Sequence, residues 1–416
     1  MTKKKNKGKD GNGYVWNSIA GLVNAGESVI LSMIVTRTNG LADAGILSIA
    51  FAVGNLMMTI GKFGVRNYQV TDLKGKFSFS DYFWARMVTA GWMVVFSLSY
   101  IIYCIQEKGY SRYKAAVILA VCFIYTVESV EDVFWGLYQQ KQALDAGAKM
   151  FIFRWAAVLA AIILSLVLYQ DLSLAAVLGA GVCLVVFCIY NVAVFRTYDE
   201  KIARIRLLSV YQVLRQCMPL FLVAFLSFYV INAPKYAIDR YLTEEAQACY
   251  GFVAMPVFMV GLLNGFIYQP ALVQMALEWN EGRLAEFKKR MRRQCVIIAG
   301  LTAVCLAGAF LCGIPVLSVI YGTDLSGYRV ELLMLLFGGG INALAGYLCV
   351  LLTIMRKQDW IMYGYAGAAV LALFFSNVTV RYFAVTGATV FYVLLMLGLA
   401  GCFLVMYRRG LQEHME

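Results

Sequence analysis

The chain has 416 residues, of which 61% are hydrophobic and only 14% are charged, and its mean hydropathy is +0.71. A typical soluble domain has roughly 25% charged residues, so this composition excludes a soluble globular protein and indicates a polytopic membrane protein. The net charge of +12 fits Lys and Arg that anchor membrane helices, and the single histidine, His414, argues against a His-dependent hydrolase or a His-rich metal site.

Twelve predominantly apolar stretches follow one another, each close to the 20 residues that a spanning helix needs. They lie at 14–36, 41–63, 82–105, 115–138, 150–169, 172–195, 207–231, 246–276, 294–321, 328–355, 359–378 and 384–407. The longest polar connections are 64–81, 196–206 and 277–293. Most Lys and Arg fall on the cytoplasmic side when the N-terminus is inside, so the pattern predicts that both termini are cytoplasmic.

The chain also repeats itself weakly. After a shift of 204 residues, segments 44–87 and 248–291 share eight identical positions, among them Arg86 and Arg290. Two parallel halves are a common transporter plan. The sequence therefore predicts a basic cytoplasmic tail at 1–13, a six-helix lobe at 14–195, a linker at 196–206, a second six-helix lobe at 207–408 and a tail at 409–416. All five prolines lie in the second half and predict kinked helices there.

Ionisable groups inside membrane helices cost about 2.5–3.5 kcal/mol each on insertion scales, so each requires an explanation. Polar residues at helical spacing mark four of the predicted helices. The members that we select are Glu27 on the first, Asn55, Lys62 and Arg66 on the second, Glu128, Glu131, Asp132 and Trp135 on the fourth, and Tyr211 and Arg215 on the seventh.

Two interpretations of these stripes stay open. They form intramembrane salt bridges that hold helices together, or they line a hydrated cavity that binds an anionic group. The three carboxylates of the fourth helix would repel one another unless protonated or paired with cations. Glu27, Glu128, Glu131 and Asp132 would suit coupling to H⁺ or Na⁺. Arg86 and Arg154, at inner helix ends, fit snorkelling anchors as well as ligand contacts.

Several strings resemble bacterial polysaccharide-repeat flippases of the Wzx type, which belong to the multidrug/oligosaccharidyl-lipid/polysaccharide exporter superfamily. They are Ile34–Gly40, Ala44–Ser48, Phe63–Asp72, Gly136–Lys141 up to Arg154, and Asn232–Asp239 followed by Tyr250-Gly251 and Met255-Pro256. The resemblance extends in order over most of the chain. Its motifs are mainly Gly, Pro and aromatic residues, which specify a family better than a cargo.

The resemblance implies an all-α fold of two six-helix lobes that form a V around a central cavity. It implies a non-enzymatic flippase without a cofactor, which moves an undecaprenyl-pyrophosphate-linked oligosaccharide across a bacterial cytoplasmic membrane by alternating access, coupled to H⁺ or Na⁺. A polysaccharide polymerase and glycosyltransferases are the implied partners, and nucleic acid is not. Related flippases place arginines within helices 1 and 2, where this chain has Glu27, Met57 and Met58. The cationic contacts are therefore expected from Lys62, Arg66, Arg215 or Lys235.

Three other functions compete with this one. A multidrug or cation exporter of the same superfamily fits a carboxylate on helix 1, namely Glu27. A membrane polysaccharide polymerase or ligase usually needs a large external loop, and the longest predicted one here, 232–245, is short. A non-transporting scaffold is the third alternative.

Overall fold

The computed structural model describes residues 7–72, 75–198, 200–268 and 271–413, and within these ranges it contains helices and no strand. Part of the predicted basic tail, together with Pro270 and His414, lies outside the described residues. The helices are α1 (Lys7–Thr38), α2 (Leu41–Lys62), α3 (Val65–Thr71), α4 (Phe79–Lys108), α5 (Arg112–Gln140), α6 (Leu144–Tyr169), α7 (Leu172–Phe195), α8 (Leu207–Tyr241), α9 (Glu244–Tyr268), α10 (Leu272–Asn280), α11 (Leu284–Gly308), α12 (Ile314–Tyr321), α13 (Arg329–Ile354) and α14 (Gln358–Glu413). A π-helix (Ala309–Gly313) joins α11 to α12.

Ten helical segments of the described chain are long and apolar enough to cross a membrane, which confirms a multi-pass all-α protein. Helix α5 is not among the ten, although its 29 residues exceed the length of a span. Helix α14 has 56 residues and contains one non-helical residue, Ala384, which separates the helices predicted at 359–378 and 384–407. The count of twelve crossings, the V shape and the cytoplasmic position of both termini stay predictions.

The chain forms two compact units, Met1–Phe225 and Leu226–Glu416, whose boundary lies within α8. In the first unit, α2 packs directly against α5 because glycines let the two backbones approach closely. A Cβ atom on Gly54 would lie 2.6 Å from the ring of Tyr125, and one on Gly61 would lie 2.5 Å from Oγ of Ser129. This contact places the polar stripe of α2 opposite the carboxylates of α5.

The connection predicted at 64–81 contains a short helix, α3, that the sequence did not indicate. Phe63 (φ 45°) and Gly64 (φ 70°) adopt left-handed backbone conformations that end α2 and redirect the chain. The Phe63 ring stacks on Phe221 of α8, with ring centroids 4.3 Å apart. Val213 and Cys217 of α8 are also buried in this hydrophobic core. The first part of α8 therefore belongs to the first unit, so the unit boundary lies beyond the predicted linker at 196–206, and the predicted lobe limits stay predictions.

In the second unit, α13 packs against α9 and α14. Its glycines again allow the close approach: a Cβ atom on Gly339 would lie 2.6 Å from Val257 of α9, and one on Gly338 would lie 2.7 Å from Tyr392 of α14. On the other side of α9, Phe252 stacks on Tyr321 with ring centroids 3.9 Å apart. The glycine-rich α13 is therefore the centre of this unit, and α5 has the corresponding position in the first unit.

Only some of the prolines in the second half lie next to a break or an irregular turn of a helix. The single helix predicted at 246–276 is wrong, because α9 ends at Tyr268 and a separate helix, α10, begins at Leu272. Pro270 stands in the sequence between them, and a proline disfavours helix in the residue before it. The π-helix precedes Pro315, whereas Pro256 lies inside α9.

The weak internal repeat corresponds to a repeated order of elements. Helices α2, α3 and α4 form a long–short–long series of 22, 7 and 30 residues. Helix α9, beginning at Glu244, is followed by the short α10 and the 25-residue α11; α9 and α11 begin within one residue of the positions that the shift of 204 residues requires, and α10 begins three residues later than its position. One identical pair, Leu73 with Leu277, involves a residue outside the described ranges. The common pattern supports a duplicated unit better than eight identities do alone.

Asp72 fixes the turn between α3 and α4, and it provides a test of the local fold. Its carboxylate accepts hydrogen bonds from the Tyr82 hydroxyl (2.7 Å) and from the amides of Lys76 (3.0 Å) and Phe77 (3.1 Å). Burial alone would raise the pKa of Asp72, but these hydrogen bonds outweigh it and lower the pKa below its ordinary value. A lowered folded-state pKa adds stability above the unfolded-state pKa of about 3.9, and this stability is lost as pH falls through the folded-state value.

We expect Asp72→Asn to lower stability by about 1–3 kcal/mol at pH 7, because the amide keeps only one acceptor oxygen and places its NH2 group against a donor that the second carboxylate oxygen now satisfies. The difference from the unaltered protein should shrink below pH 4. Thermal unfolding in detergent at several pH values measures both effects. Tyr82→Phe, which removes one of the three bonds, is the matched control and should cost less. Equal unfolding temperatures of Asp72→Asn and the unaltered chain at pH 7 would contradict this role.

Candidate functional site

The first unit encloses a polar cavity of about 330 Å³. Its walls come from five helices, and every lining residue belongs to the first unit. The lining residues are Asn17, Ala20, Gly21 and Asn24 of α1, Lys62 of α2, Arg66 of α3, Glu128, Glu131, Asp132 and Trp135 of α5, and Phe151 of α6. Six of the residues selected from the sequence therefore meet at one cavity.

Each carboxylate of α5 is paired with a cation, which settles how three neighbouring acids coexist. Glu128 contacts Lys62 (2.9 Å) and Arg154 (3.3 Å). Arg154 also donates to Glu131 at 2.5 Å. Asp132 contacts both Arg66 and Arg86. The salt-bridge interpretation of the stripes is therefore confirmed at this site. The same carboxylates form ion pairs and line the cavity, so the two interpretations of the stripes do not exclude one another.

Asp132 joins a buried arginine to a cavity-facing one. Arg86 donates to Asp132 at 2.7 Å and to the carbonyl of Gly61 at 2.7 Å. Arg66 contacts the other oxygen of Asp132 at 3.3 Å, and its guanidinium lies 4.5 Å from the ring centre of Trp135. A guanidinium over an aromatic face is held by cation–π attraction as well as by its ion pair. This arrangement orients Arg66 toward the cavity.

Two cations and three carboxylates line the cavity, and the two cations are the more exposed. The side chains of Lys62 and Arg66 are 33% and 23% exposed, whereas those of Glu128 and Glu131 are 7% and 1% exposed. Each of these three carboxylates contacts at least one cation, and the fully buried Arg86 and Arg154 supply part of this compensation without lining the cavity. An anionic group entering the cavity would thus meet donors before it met carboxylates.

Arg86 and Arg154 do not snorkel, and that sequence-based interpretation is wrong. Both side chains are fully buried. The reason is that α4 begins at Phe79 and α6 at Leu144, earlier than the sequence predicted, so both arginines lie well inside their helices. Arg154 was also selected for cargo contact, but the structure places it behind the cavity wall, where it neutralises two glutamates.

Glu27 and Asn55 do not line the cavity, and both contact the hydroxyl group of Tyr125 instead. The Tyr125 hydroxyl donates to Glu27 at 3.1 Å and accepts a hydrogen bond from Asn55 at 3.4 Å. Glu27 is only 5% exposed, and its other carboxylate oxygen has no hydrogen-bond partner among the described residues. Trp155, which packs on Tyr125 with ring centroids 6.5 Å apart, donates to Glu128 at 3.4 Å. Aromatic side chains therefore connect Glu27 to the ion-pair network.

Three selected residues lie elsewhere. Tyr211 is 61% exposed and Arg215 is also exposed on α8, and neither lines the cavity. Lys235 belongs to the second unit. Their roles stay predictions. The sequence missed Phe151 and did not select Asn17 and Asn24, although the spacing of seven residues between the two asparagines indicates one helical face.

The comparisons with known proteins concern the fold. No protein-family model matches the chain, and a search of curated proteins found no match. The fold is similar to that of an inward-facing multidrug resistance MATE family transporter of the MOP superfamily, with a TM-score of 0.68 and 10% identity over 95% of this chain and 94% of that chain. It is also similar to the Vibrio cholerae MATE transporter VcmN in the bent form, with a TM-score of 0.59 and 10% identity over 98% of both chains.

A third similar structure is a MOP superfamily transporter from Pyrococcus furiosus, with a TM-score of 0.54 and 13% identity over 98% of this chain and 94% of that chain. Its description reports a binding pocket of reverse polarity and a different function. All three similar structures are described as transporters. At these identities the comparison shows a MATE-type transporter fold and leaves the cargo open.

We expect Arg154→Met to destabilise the protein by about 3–5 kcal/mol, because it leaves Glu131 buried without its cation. The double variant Arg154→Met with Glu131→Gln should recover part of the loss. Lys149→Met is the control on the same helix, since its pair with Asp145 is over one-third exposed and should be worth less than about 1 kcal/mol. Thermal unfolding in detergent measures all three, and equal losses for Arg154→Met and Lys149→Met would argue against a buried ion-pair network.

Proposed function

We propose that the protein is a membrane transporter that exports its cargo by alternating access and binds part of that cargo in the charged cavity of the first unit. The observation that carries this proposal is a polar cavity with reachable cations inside a MATE-type transporter fold. Charged groups at this depth cost free energy and are typical of a substrate or ion pathway. An apolar bundle that served only as a scaffold would not need such a cavity.

For the cargo we propose a lipid-linked oligosaccharide whose pyrophosphate contacts Lys62 and Arg66, in the cytoplasmic membrane of a bacterium. Its support is the greater exposure of Lys62 and Arg66 than of the carboxylates that line the cavity, together with the sequence resemblance to polysaccharide-repeat flippases. Arg binds phosphate oxygens through two parallel N–H groups, and Trp135 and Phe151 offer apolar ring faces for a sugar. The volume of about 330 Å³ is within the range of small-molecule sites and matches a head group rather than a whole oligosaccharide.

A multidrug exporter is the second candidate, and the comparisons support it more directly, because two of the similar structures are described as MATE transporters and one of these as multidrug resistance. The buried pair of Glu27 and Tyr125 would be its cation-binding element. Its difficulty is electrostatic. Glu128 and Asp132 already contact two cations each, so a cationic drug in the cavity would have to displace Lys62 or Arg66 before it could pair with either of these two carboxylates.

Coupling to H⁺ or Na⁺ is part of the proposal for either cargo. The described residues contain no group of three His, Cys, Asp or Glu side chains arranged as a metal site. The coupling groups that we propose are Glu27 and the carboxylates of α5: a proton or Na⁺ on Glu27 would neutralise a buried carboxylate that has no ion pair within the described ranges, and on an α5 carboxylate it would release a cation from its pair.

Deletion of the gene separates the two candidates. A flippase predicts that undecaprenyl-linked repeat units accumulate on the inner leaflet while drug susceptibility stays unchanged. A multidrug exporter predicts increased drug susceptibility with normal surface polysaccharide. Leaflet-specific labelling of the lipid-linked units and growth inhibition by cationic drugs provide the two measurements. Normal results in both would contradict export of either cargo.

Replacing the two cavity-facing cations tests the site. We expect Lys62→Gln and Arg66→Gln each to lower export about 10-fold or more, because a charge-assisted hydrogen bond contributes about 1.5–3 kcal/mol. Lys62→Arg should retain more activity than Lys62→Gln. The matched control is Lys201→Gln in the exposed linker. Arg215→Gln, tested beside them, shows whether the site extends to α8, and export unchanged in Lys62→Gln and Arg66→Gln at normal protein level would remove this cavity from the mechanism.

A further inference from the structure

The start of α11 carries an uncompensated stripe of positive charge. Lys289, Arg292 and Arg293 recur at spacings of three and four residues and are exposed, so they share one helical face. Within the described part of the chain, none of the three has an acidic partner at ion-pair distance. Two neighbouring arginines differ from them: Arg283 pairs with Glu281 and Glu286, and Arg290 pairs with Glu278. The nearby carboxylates Glu278, Glu281 and Glu286 therefore pair with these two arginines and not with the stripe.

The same face of α11 becomes apolar within two turns. Val296 is 70% exposed and Val304 is 69% exposed, again at helical spacing from the cations. At 1.5 Å per residue, Val296 lies about 5 Å along the helix from Arg292 and Arg293. The polar headgroup layer of a bilayer is roughly 5–7 Å thick on each side. The change from cations to exposed valines therefore matches the change from headgroups to hydrocarbon.

Helix α10 adds an apolar element beside this stripe. Met275, Glu278 and Trp279 are buried on one face, whereas Val273 is 72% exposed and Leu277 is 45% exposed on the other. A short helix that presents apolar residues outward next to basic residues is typical of a segment that lies in the membrane interface. The α10 helix thus supplies apolar contact where α11 supplies charge.

The orientation of α10 against α11 is fixed by a bidentate ion pair. The Arg290 guanidinium contacts both oxygens of Glu278, at 2.5 Å through Nη2 and at 3.0 and 3.1 Å through Nε. Trp279 packs on Phe287 with ring centroids 5.3 Å apart. The hydrogen bonds from Arg290 lower the pKa of Glu278 below its ordinary value, so the pair stays ionised at neutral pH. The two helices therefore form a preformed elbow.

We propose that this elbow, formed by α10 and the first turns of α11, is a binding surface for the head groups of anionic phospholipids. Lys289, Arg292 and Arg293 contact the phosphates, while Val273 and Leu277 enter the acyl boundary. Attraction of an anionic cargo is the competing use of the stripe, but exposed apolar residues on both helices favour the bilayer surface. The surface lies in the second unit and does not depend on the cargo proposed above.

Titration with phosphatidylglycerol in mixed micelles tests this proposal on the purified full chain. The readout is the mole fraction of lipid that gives half of the full rise in Tm, with phosphatidylcholine as the neutral lipid. The triple variant Lys289→Gln, Arg292→Gln and Arg293→Gln should require about 10-fold more phosphatidylglycerol or more, because each cation near an anionic surface contributes severalfold in affinity. Lys201→Gln, Arg204→Gln and Arg408→Gln form the control triple, which removes the same charge from other exposed positions and should leave the titration unchanged.

The unaltered protein gives a second readout that needs no variant. Raising the salt concentration from 0.05 to 0.5 M should weaken phosphatidylglycerol binding about 10-fold, since salt screens exposed charges. The proposal is overturned by equal binding of the two lipids, by salt-independent binding, or by a triple variant that binds phosphatidylglycerol as the unaltered chain does. Normal lipid binding with reduced export in that variant would assign the stripe to the cargo instead.

Discussion

An ionised group inside a membrane helix bundle is costly unless an opposite charge, hydrogen-bond partners or a water-filled cavity compensates it. That constraint organises the first unit. Glu128, Glu131 and Asp132 stand on one face of α5, and cations from four other helices come to them. Since each of these ion pairs joins two helices, the same contacts that neutralise the charges also fix how α2, α3, α4 and α6 pack around α5.

The network has a buried part and an accessible part, and the difference between them defines the site. Arg86 and Arg154 are fully buried and act as permanent counter-ions, whereas Lys62 and Arg66 reach the cavity. Removing a buried counter-ion leaves a carboxylate without compensation, but an accessible cation can exchange its partner for an incoming anion. The buried pairs can therefore hold the walls in place while an accessible cation changes its partner.

The two units use the same element order for different purposes. Arg86 and Arg290 correspond in the internal repeat, yet Arg86 reaches across to α5, whereas Arg290 holds the neighbouring short helix α10. The fold similarity to MATE transporters extends over nearly the whole chain, but a fold can serve several cargoes, and the cargo depends on the side chains in the cavity. Here the most exposed charged side chains of the cavity are Lys62 and Arg66.

The sequence by itself determined the membrane class, nearly all the long helices and the residues that carry charge at depth, because apolar length and helical spacing are local properties of the chain. It could not supply the break after Phe63, the separate helices α9 and α10, or the burial of Arg154, since each depends on backbone geometry or on helix ends that shift by several residues. Only the tertiary structure decided that Lys62 pairs with Glu128 while Arg215 lies elsewhere. A polar stripe in the sequence shows which face of a single helix is polar. Which polar faces meet depends on helix packing, here on the glycines of α2 that let α5 approach closely.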